Sequence, residues 1–344
     1  MTKTQCALIA ASVLLVSSRP ALTQAPEAPA QPPDEYSEIA PLATKSLLLD
    51  AVLAGSRMVV VGERGHVLLS DDHGKTWRQA KVPTRALLTA VYFHDDKLGW
   101  VVGHDETILR SEDGGETWAL THAAPDKEQP LLDVWFKDAD SGFAFGAYGT
   151  ILASSDGGRS WTQQAFDPKP LIERPKPAVS KESDEYLDEG AASDMHLNAV
   201  ARADDGKLYL VAEAGHLFRS DDEGATWLEL PSPYEGSFFG VLPLEGATLL
   251  AFGLRGHLYR SEDAGATWRE TRTDTVAMLT NGLRIDSQTI VITGLAGSLL
   301  VSRDGGRSFE LRQQGDRKGM AAALPAGDGR LLVVGESGIK GIEL

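Results

Sequence analysis

Residues Ser70 to Trp77 read SDDHGKTW, and close copies return as SEDGGETW from Ser111, SSDGGRSW from Ser154, SDDEGATW from Ser220, SEDAGATW from Ser261 and SRDGGRSF from Ser302. A stretch that occurs six times is first of all a structural unit. Its leading serines lie 41, 43, 66, 41 and 41 residues apart, so one period of about 41 is broken once by an insertion of 25.

A second element precedes every octapeptide: VVVGERGHVLLS, VVGHDETILRS, AFGAYGTILAS, LVAEAGHLFRS, AFGLRGHLYRS and VITGLAGSLLVS. Each is a β-rich run, a tight turn and a second β-rich run, which is the pattern of a hairpin. VVGESGIKGIEL, at residues 333–344, supplies a seventh hairpin with no octapeptide after it. Upstream of each hairpin lies one more short strand, such as LLTAVYF, LLDVWF or LNAVARA. Four short antiparallel strands per period predict an all-β, seven-bladed β-propeller.

Seven hairpins and six octapeptides leave the last blade without a fourth strand. One period before Trp77 stands Tyr36, and the segment that follows it aligns with the segment that follows Trp77. Residues 36–43 are therefore expected to form the outer strand of blade seven and to close the ring, removing an exposed edge.

The octapeptide explains itself as a turn. Asp72 is placed to accept N–H groups of its own reversal, Gly74 can take the positive φ that a tight turn needs, and Trp77 opens the next strand where it can be buried. An EF-hand would need further oxygen ligands over twelve residues and a closing Glu, which no copy supplies. A catalytic carboxylate pair repeated in every blade would mean six active sites. The structural assignment covers Asp72, Trp77, Asp113, Trp118, Asp156, Trp161, Asp222, Trp227, Asp263, Trp268, Asp304 and Phe309.

With 344 residues and 42% hydrophobic content the chain can bury a sizeable core, and its formal net charge is −16. That balance argues against nucleic acid and against anionic lipid, which both need clustered Lys and Arg. The N-terminus, MTKTQCALIAASVLLVSSRPALTQ, reads as a secretory signal peptide over residues 1–23, followed by a Pro/Ala-rich linker over 24–35 and the propeller over 36–344. The apolar run is too short to span a bilayer. Cys6 precedes that run, so it is not a lipoprotein cysteine, and no direct lipid anchor is expected. The mature chain then has no cysteine, which excludes disulfides and thiolate sites. A periplasmic monomer without metal or other cofactor is expected.

The octapeptide resembles the Asp-box, or BNR repeat, of sialidase-like propellers. Together with the Gly99-Trp100 pair before a hairpin and the 41-residue spacing, it resembles the photosystem II stability and assembly factor family, including its bacterial members without a photosynthetic partner. The resemblance covers residues 36–344. It implies a protein-binding platform or assembly factor for a membrane-protein complex, and bacterial relatives suggest an accessory of an envelope transporter. In that family a basic patch on the propeller meets the client; here only Arg64 and Arg255 fall in comparable turns.

The alternative is a glycan-binding or glycosidase-like propeller. The resemblance to sialidases would require an RIP-type motif before the first octapeptide, an arginine triad and a Tyr–Glu pair, but the only ERP, Glu173 to Pro175, lies in the insertion. Glu63, Glu106, Glu213 and Glu336 stand at matched hairpin turns and would have to meet near the axis to form a glycosidase pair. Solvated turn residues are the simpler account, and no enzyme is expected. His66, His216 and His257 likewise share a repeat position, with His104 nearby, and read as polar strand starts before they read as metal ligands.

Strand alternation sorts the turns into two faces. The octapeptide turns and the first turn of each blade share one face, which holds most of the acidic residues. The opposite face carries the hairpin turns and the connections between blades, where Arg64, Arg85, Tyr148, Tyr234, Phe238 and Arg255 are expected to bind a protein partner, Tyr and Arg being the types that anchor interfaces. The insertion, residues 167–195 between blades three and four, is proline-rich and then acidic. It reads as a mobile loop on this face, either a tolerated surface insertion or an arm that grips the partner.

Overall fold

The computed structural model describes residues 35–171, 195–327 and 329–344. Seven antiparallel sheets follow one another around an axis, and no α-helix occurs among the described residues. Blade one consists of Leu48–Ala54, Arg57–Gly62, Val67–Ser70 and Arg78–Ala80, from inside to outside. The inner strands of the later blades are Leu88–Phe93, Leu131–Phe136, Leu197–Arg202, Phe238–Pro243, Leu279–Arg284 and Met320–Pro325. Each inner strand packs on the next, and the last packs on the first. The expected signal peptide and almost all of the linker lie outside the described residues.

The second strands are buried on both sides, as MVVV at Met58–Val61 and LYLV at Leu208–Val211 show. The cause is that each sheet is sandwiched between two others. Seven hydrophobic clusters result, one per seam between blades. At the seam of blades two and three, Trp100 stacks on Phe136 with ring centroids 3.4 Å apart and donates its indole N–H to the Gly157 carbonyl at 3.1 Å. Each such aromatic contributes about 2–3 kcal/mol by burial.

The octapeptide turns are built alike. The Ser70 hydroxyl donates to Asp72 Oδ1 at 2.9 Å and accepts the Gly74 N–H at 2.9 Å; Asp72 also accepts the Thr76 N–H and hydroxyl at 2.8 and 2.6 Å. The Thr76 bonds, aided by Ser70 and the Lys75 N–H, hold the Asp72 carboxyl down at about 2. Trp77, Trp118 and Trp161 each return an indole N–H to the glycine carbonyl of their own turn. Asp71, the other member of the Asp pair, points outward to Arg57 at 2.6 Å.

Two expectations about strands change. Blade seven holds three strands, Met320–Pro325, Arg330–Gly335 and Gly338–Glu343. The N-terminal segment does join first and last blades, but not as a fourth strand. Ser37 donates its N–H to the Val82 carbonyl at 2.8 Å, Ala40 donates to Gln79 Oε1 at 2.9 Å, and Arg85 Nε donates to the Tyr36 carbonyl at 3.0 Å, all on the flank of blade one. Ala43–Lys45 then forms a short 3-10 turn against the last strand, with Ala43 in the cluster of Leu332 and Val334. Pro41 explains the form: it lacks an N–H and interrupts any ladder through this stretch.

The second change concerns the insertion, whose start is not loose. Lys169–Pro170 adds a fifth, parallel strand to blade four, with the Lys169 and Leu171 N–H groups donating to the Trp227 and Glu229 carbonyls. Pro168 and Pro170 have no donor to offer and alternate with the residues that do. Residues 172–194 of the expected loop lie outside the described residues.

Along the axial edge a polar relay ties inner strands together. Asp50 Oδ2 accepts the Val91 N–H of the next blade at 2.9 Å, the Thr89 hydroxyl donates to the Leu131 carbonyl at 2.5 Å, and Asp133 Oδ2 accepts the Val200 N–H at 2.8 Å. Asn198 and Thr280 continue the pattern by donating to the Phe238 and Met320 carbonyls. Enclosure by the inner strands pushes Asp50 up to about 6 and Asp133 up to about 7 against the pull of these hydrogen bonds, and the Asp50 charge adds to the push on Asp133.

The two classes of aspartate give opposite pH dependence. The depressed turn aspartates stabilise above about pH 4 and lose that contribution as pH falls toward 2. The raised pair binds protons more tightly when folded, so its contribution is complete below about pH 4 and is lost as pH rises through 6 to 7. Urea unfolding should therefore show stability rising from pH 8 to pH 5 and falling below pH 4, and Asp50→Asn with Asp133→Asn should flatten the upper slope. A slope unchanged in the double variant would place its origin elsewhere. Asp113→Ala, which removes three hydrogen bonds from an exposed turn, should lower stability by about 1–2 kcal/mol in the same measurement.

Candidate functional site

The two faces separate as the strand alternation predicts. On the acidic face the octapeptide turn is bonded to the first turn of its own blade, as in Gly114 N–H to the Lys97 carbonyl and Gly157 N–H to the Asp140 carbonyl. On the other face hairpin tips bond the connections between blades, as in Gly65 N–H to the Ala86 carbonyl and Gly149 N–H to the Met195 carbonyl. The tip residues Arg64, Tyr148, Ala214, Arg255 and Ala296 all have φ between 52° and 58°. The following glycine brings the connection close: a Cβ on Gly256 would lie 2.1 Å from the Thr275 carbonyl oxygen. In blade two that place is taken by Glu106, with φ 49° and no exposed surface. Its carboxylate is held by Lys127 at 2.8 Å and His122 at 3.1 Å.

The hairpin carboxylates therefore do not converge on the axis. Glu106 is enclosed in its own blade, Glu63 accepts the Leu47 N–H, and Glu213 accepts the His196 N–H. Glu336 lies against Gly319 at the last hairpin. The carboxylates at the axial edge are Asp50 and Asp133, which the reading of hairpin turns passed over because they sit on inner strands. Each spends its oxygens on backbone N–H groups.

The repeat-position histidines each gain a local partner where one is free. His216 Nδ1 and His257 Nδ1 stand 2.8 Å from Glu229 and Glu270, both on the fourth strand of their own blade. The equivalent residue of blade one is Gln79, which the N-terminal segment engages. His66 is thus left 2% exposed with no partner for Nδ1, and burial lowers its pKa. No group of three His, Cys, Asp or Glu able to hold a metal occurs among the described residues.

Of the six expected partner-binding residues, the structure gathers two. The Tyr234 ring lies 4.4 Å from the His257 ring, beside Arg255 at the tip of the same hairpin. This tilted ring pair separates two clefts. One, of about 980 Å³, is lined by His216, Glu229, Pro231, Pro233, Tyr234 and Pro170 of the added strand. The other, of about 610 Å³, is lined by Arg255, His257, Glu270, Arg272 and Val276, the last 86% exposed. The His–Glu pairs on their walls were legible only as strand starts, because a partner 13 residues away in sequence depends on the register between third and fourth strands.

The other four are elsewhere. Phe238 is fully buried at the seam of blades four and five and cannot meet a partner. Its alternation on the inner strand points it into the seam. Arg85 is occupied by Glu38 at 3.0 Å and by the Tyr36 carbonyl. Arg64 is exposed in blade one, and Tyr148 is exposed in blade three with its ring edge to His196.

The profile of the photosynthesis system II assembly factor YCF48 matches residues 70–169 and 120–288, more than half of the chain. The chain belongs to this family. Its fold agrees with a structure of YCF48 bound to D1 peptide, at 16% identity and TM-score 0.65 over 89% of this chain and 94% of that one. It agrees equally with YCF48 from Cyanidioschyzon merolae, at 17% identity and TM-score 0.66 over 88% and 97%. An ancestral GH74 enzyme shares the fold at 12% identity and TM-score 0.67, over 90% of this chain and 46% of the enzyme. These identities establish fold. No curated protein sequence matches the chain.

The placement of the YCF48-family side chains separates core from surface. Phe238→Ala should cost about 3–5 kcal/mol in chemical unfolding, whereas Arg255→Ala and Tyr148→Ala should stay within about 0.5 kcal/mol of the parent.

Proposed function

We propose that this protein is an exported, non-catalytic propeller that binds an extended segment of a membrane-protein complex and serves that complex as an assembly or accessory factor. The observation that carries the reading is the Tyr234–His257 ring pair between two clefts on the face opposite the acidic turns. An aromatic platform with Arg255 at its edge offers stacking area and a charged donor in one place, the combination that anchors protein interfaces. Family membership and the D1 peptide bound by a YCF48 structure support a peptide-like ligand. The leader-like N-terminus supports a periplasmic site of action, and with it an envelope complex such as a transporter. Absence of catalysis is supported by Glu63, Glu106, Glu213, Asp50 and Asp133, whose oxygens are engaged by hydrogen bonds within the propeller and do not converge on one cleft.

A second reading rests on the same ring pair, since an aromatic ring between Glu229 and Glu270 also suits a sugar ring. Affinity capture from detergent-solubilised envelopes, run beside a glycan array and glycosidase assays, separates the two. A membrane-protein partner should be recovered with the parent and lost with Tyr234→Ala plus Arg255→Glu, while Arg64→Glu plus Arg85→Glu retains it. Partner recovery that survives the first pair, or glycoside turnover by the parent, would overturn the proposal.

A further inference from the structure

The seams between blades share a rule: the fourth strand of one blade covers the turn aromatic of the next. Ala80 and Val82 share a cluster with Trp118, Thr121 Oγ1 lies 3.3 Å from Trp161 Nε1, and Leu230 packs with Trp268. At the seam of blades seven and one, Trp77 instead faces a groove of about 370 Å³ that runs beside Ile339 and Gly341, with Thr44 and Lys45 among its lining residues.

The outer side of the last strand, Gly338–Glu343, has no paired strand among the described residues. Its parity is set by the Leu344 N–H, which donates to the Gly329 carbonyl at 3.1 Å in continuation of the register Arg330↔Glu343. In an antiparallel pair the residues that bond inward alternate with those that bond outward. The N–H and C=O groups of Ile339, Gly341 and Glu343 therefore point away from the blade, and the first two line the groove. A Cβ on Gly341 would meet nothing within 4 Å, so a chain can approach this edge closely. Among the described residues the lining also includes Lys45, Lys75 and His73 and no carboxylate, in a chain of net charge −16.

We propose that this edge is a second docking surface, which takes an acidic, extended segment of a partner protein as the antiparallel fourth strand of blade seven. Main-chain bonds to Ile339 and Gly341 would hold the segment, as in other strand additions. The basic rim would select acidic side chains, and an apolar residue would lie on Trp77. The surface is separate from the Tyr234 clefts, so either can fail alone.

The probe is a labelled peptide with the sequence SDDEGATWLEL, residues 220–230, which carries four acids and one of the protein's own fourth strands. Added to the full chain, it should protect the Ile339 and Gly341 amides from hydrogen exchange. Its affinity should fall about tenfold or more with Gly341→Pro, which removes one outward donor, and with Lys45→Glu plus Lys75→Glu. The same peptide with its four acids replaced by lysine should bind about tenfold more weakly. Thermal unfolding of each variant checks that the fold persists, and Lys45→Glu plus Lys75→Glu, at surface positions, keeps the test open where Gly341→Pro unfolds. Protection confined to the Tyr234 clefts, equal binding to all variants, or binding that appears only once residues 1–34 are removed would overturn the proposal; the last would assign the groove to the protein's own N-terminal segment.

Discussion

The structure depends on the bonds that one aspartate accepts in each octapeptide turn. Those bonds close the link between third and fourth strands so tightly that the next aromatic has one place to go, under the turn and against the preceding blade. The glycine carbonyl takes the indole N–H in the turns of Trp77, Trp118 and Trp161. The glycine itself lies against that blade, where a Cβ on Gly74 would meet Leu332 at 2.6 Å and one on Gly265 would meet Leu230 at 2.6 Å. A local turn thereby sets a distance between sheets, and repeating it makes a ring. The energy resides in the seams, where Trp100 and Phe136 are buried; the turn decides which surfaces meet.

The repeat made the fold legible because its information is local: a turn, a hairpin and an alternation each occupy fewer than a dozen residues. What escaped it was relational. Phe238 reads as an exposed aromatic near a connection until its strand is known to be innermost, and then its alternation buries it. Asp50 and Asp133 read as ordinary strand residues until seven inner strands surround them. The segment 36–43 aligns with a strand and yet forms none, because Pro41 has no N–H to give a ladder and the Gln79 side chain takes the Ala40 N–H instead. Spacing alone did not register those competing partners.

The candidate site shows the same division. Tyr234 and Arg255 were visible as residue types on the right face. Their grouping followed from the short connection that lays the Tyr234 carbonyl over Gly215 and its ring on His257. Acidic turns on one side and aromatic clefts on the other leave the disc with two chemically different faces. The second carries apolar surface such as Val276, 86% exposed beside the cleft of Arg255 and His257.

The N-terminal clasp also has a kinetic meaning. Thr44 and Lys45 meet Gly338 after nearly 300 residues of intervening chain, whereas the other seams join blades that are successive in sequence. Loop closure of that length is entropically costly unless the six earlier seams have already curved the array and brought its ends together. The clasp is thus the step at which an open arc becomes a ring. Cutting the chain at a connection between two other blades and joining residues 35 and 344 through a linker would move that step to a different seam while leaving the seven hydrophobic clusters unchanged.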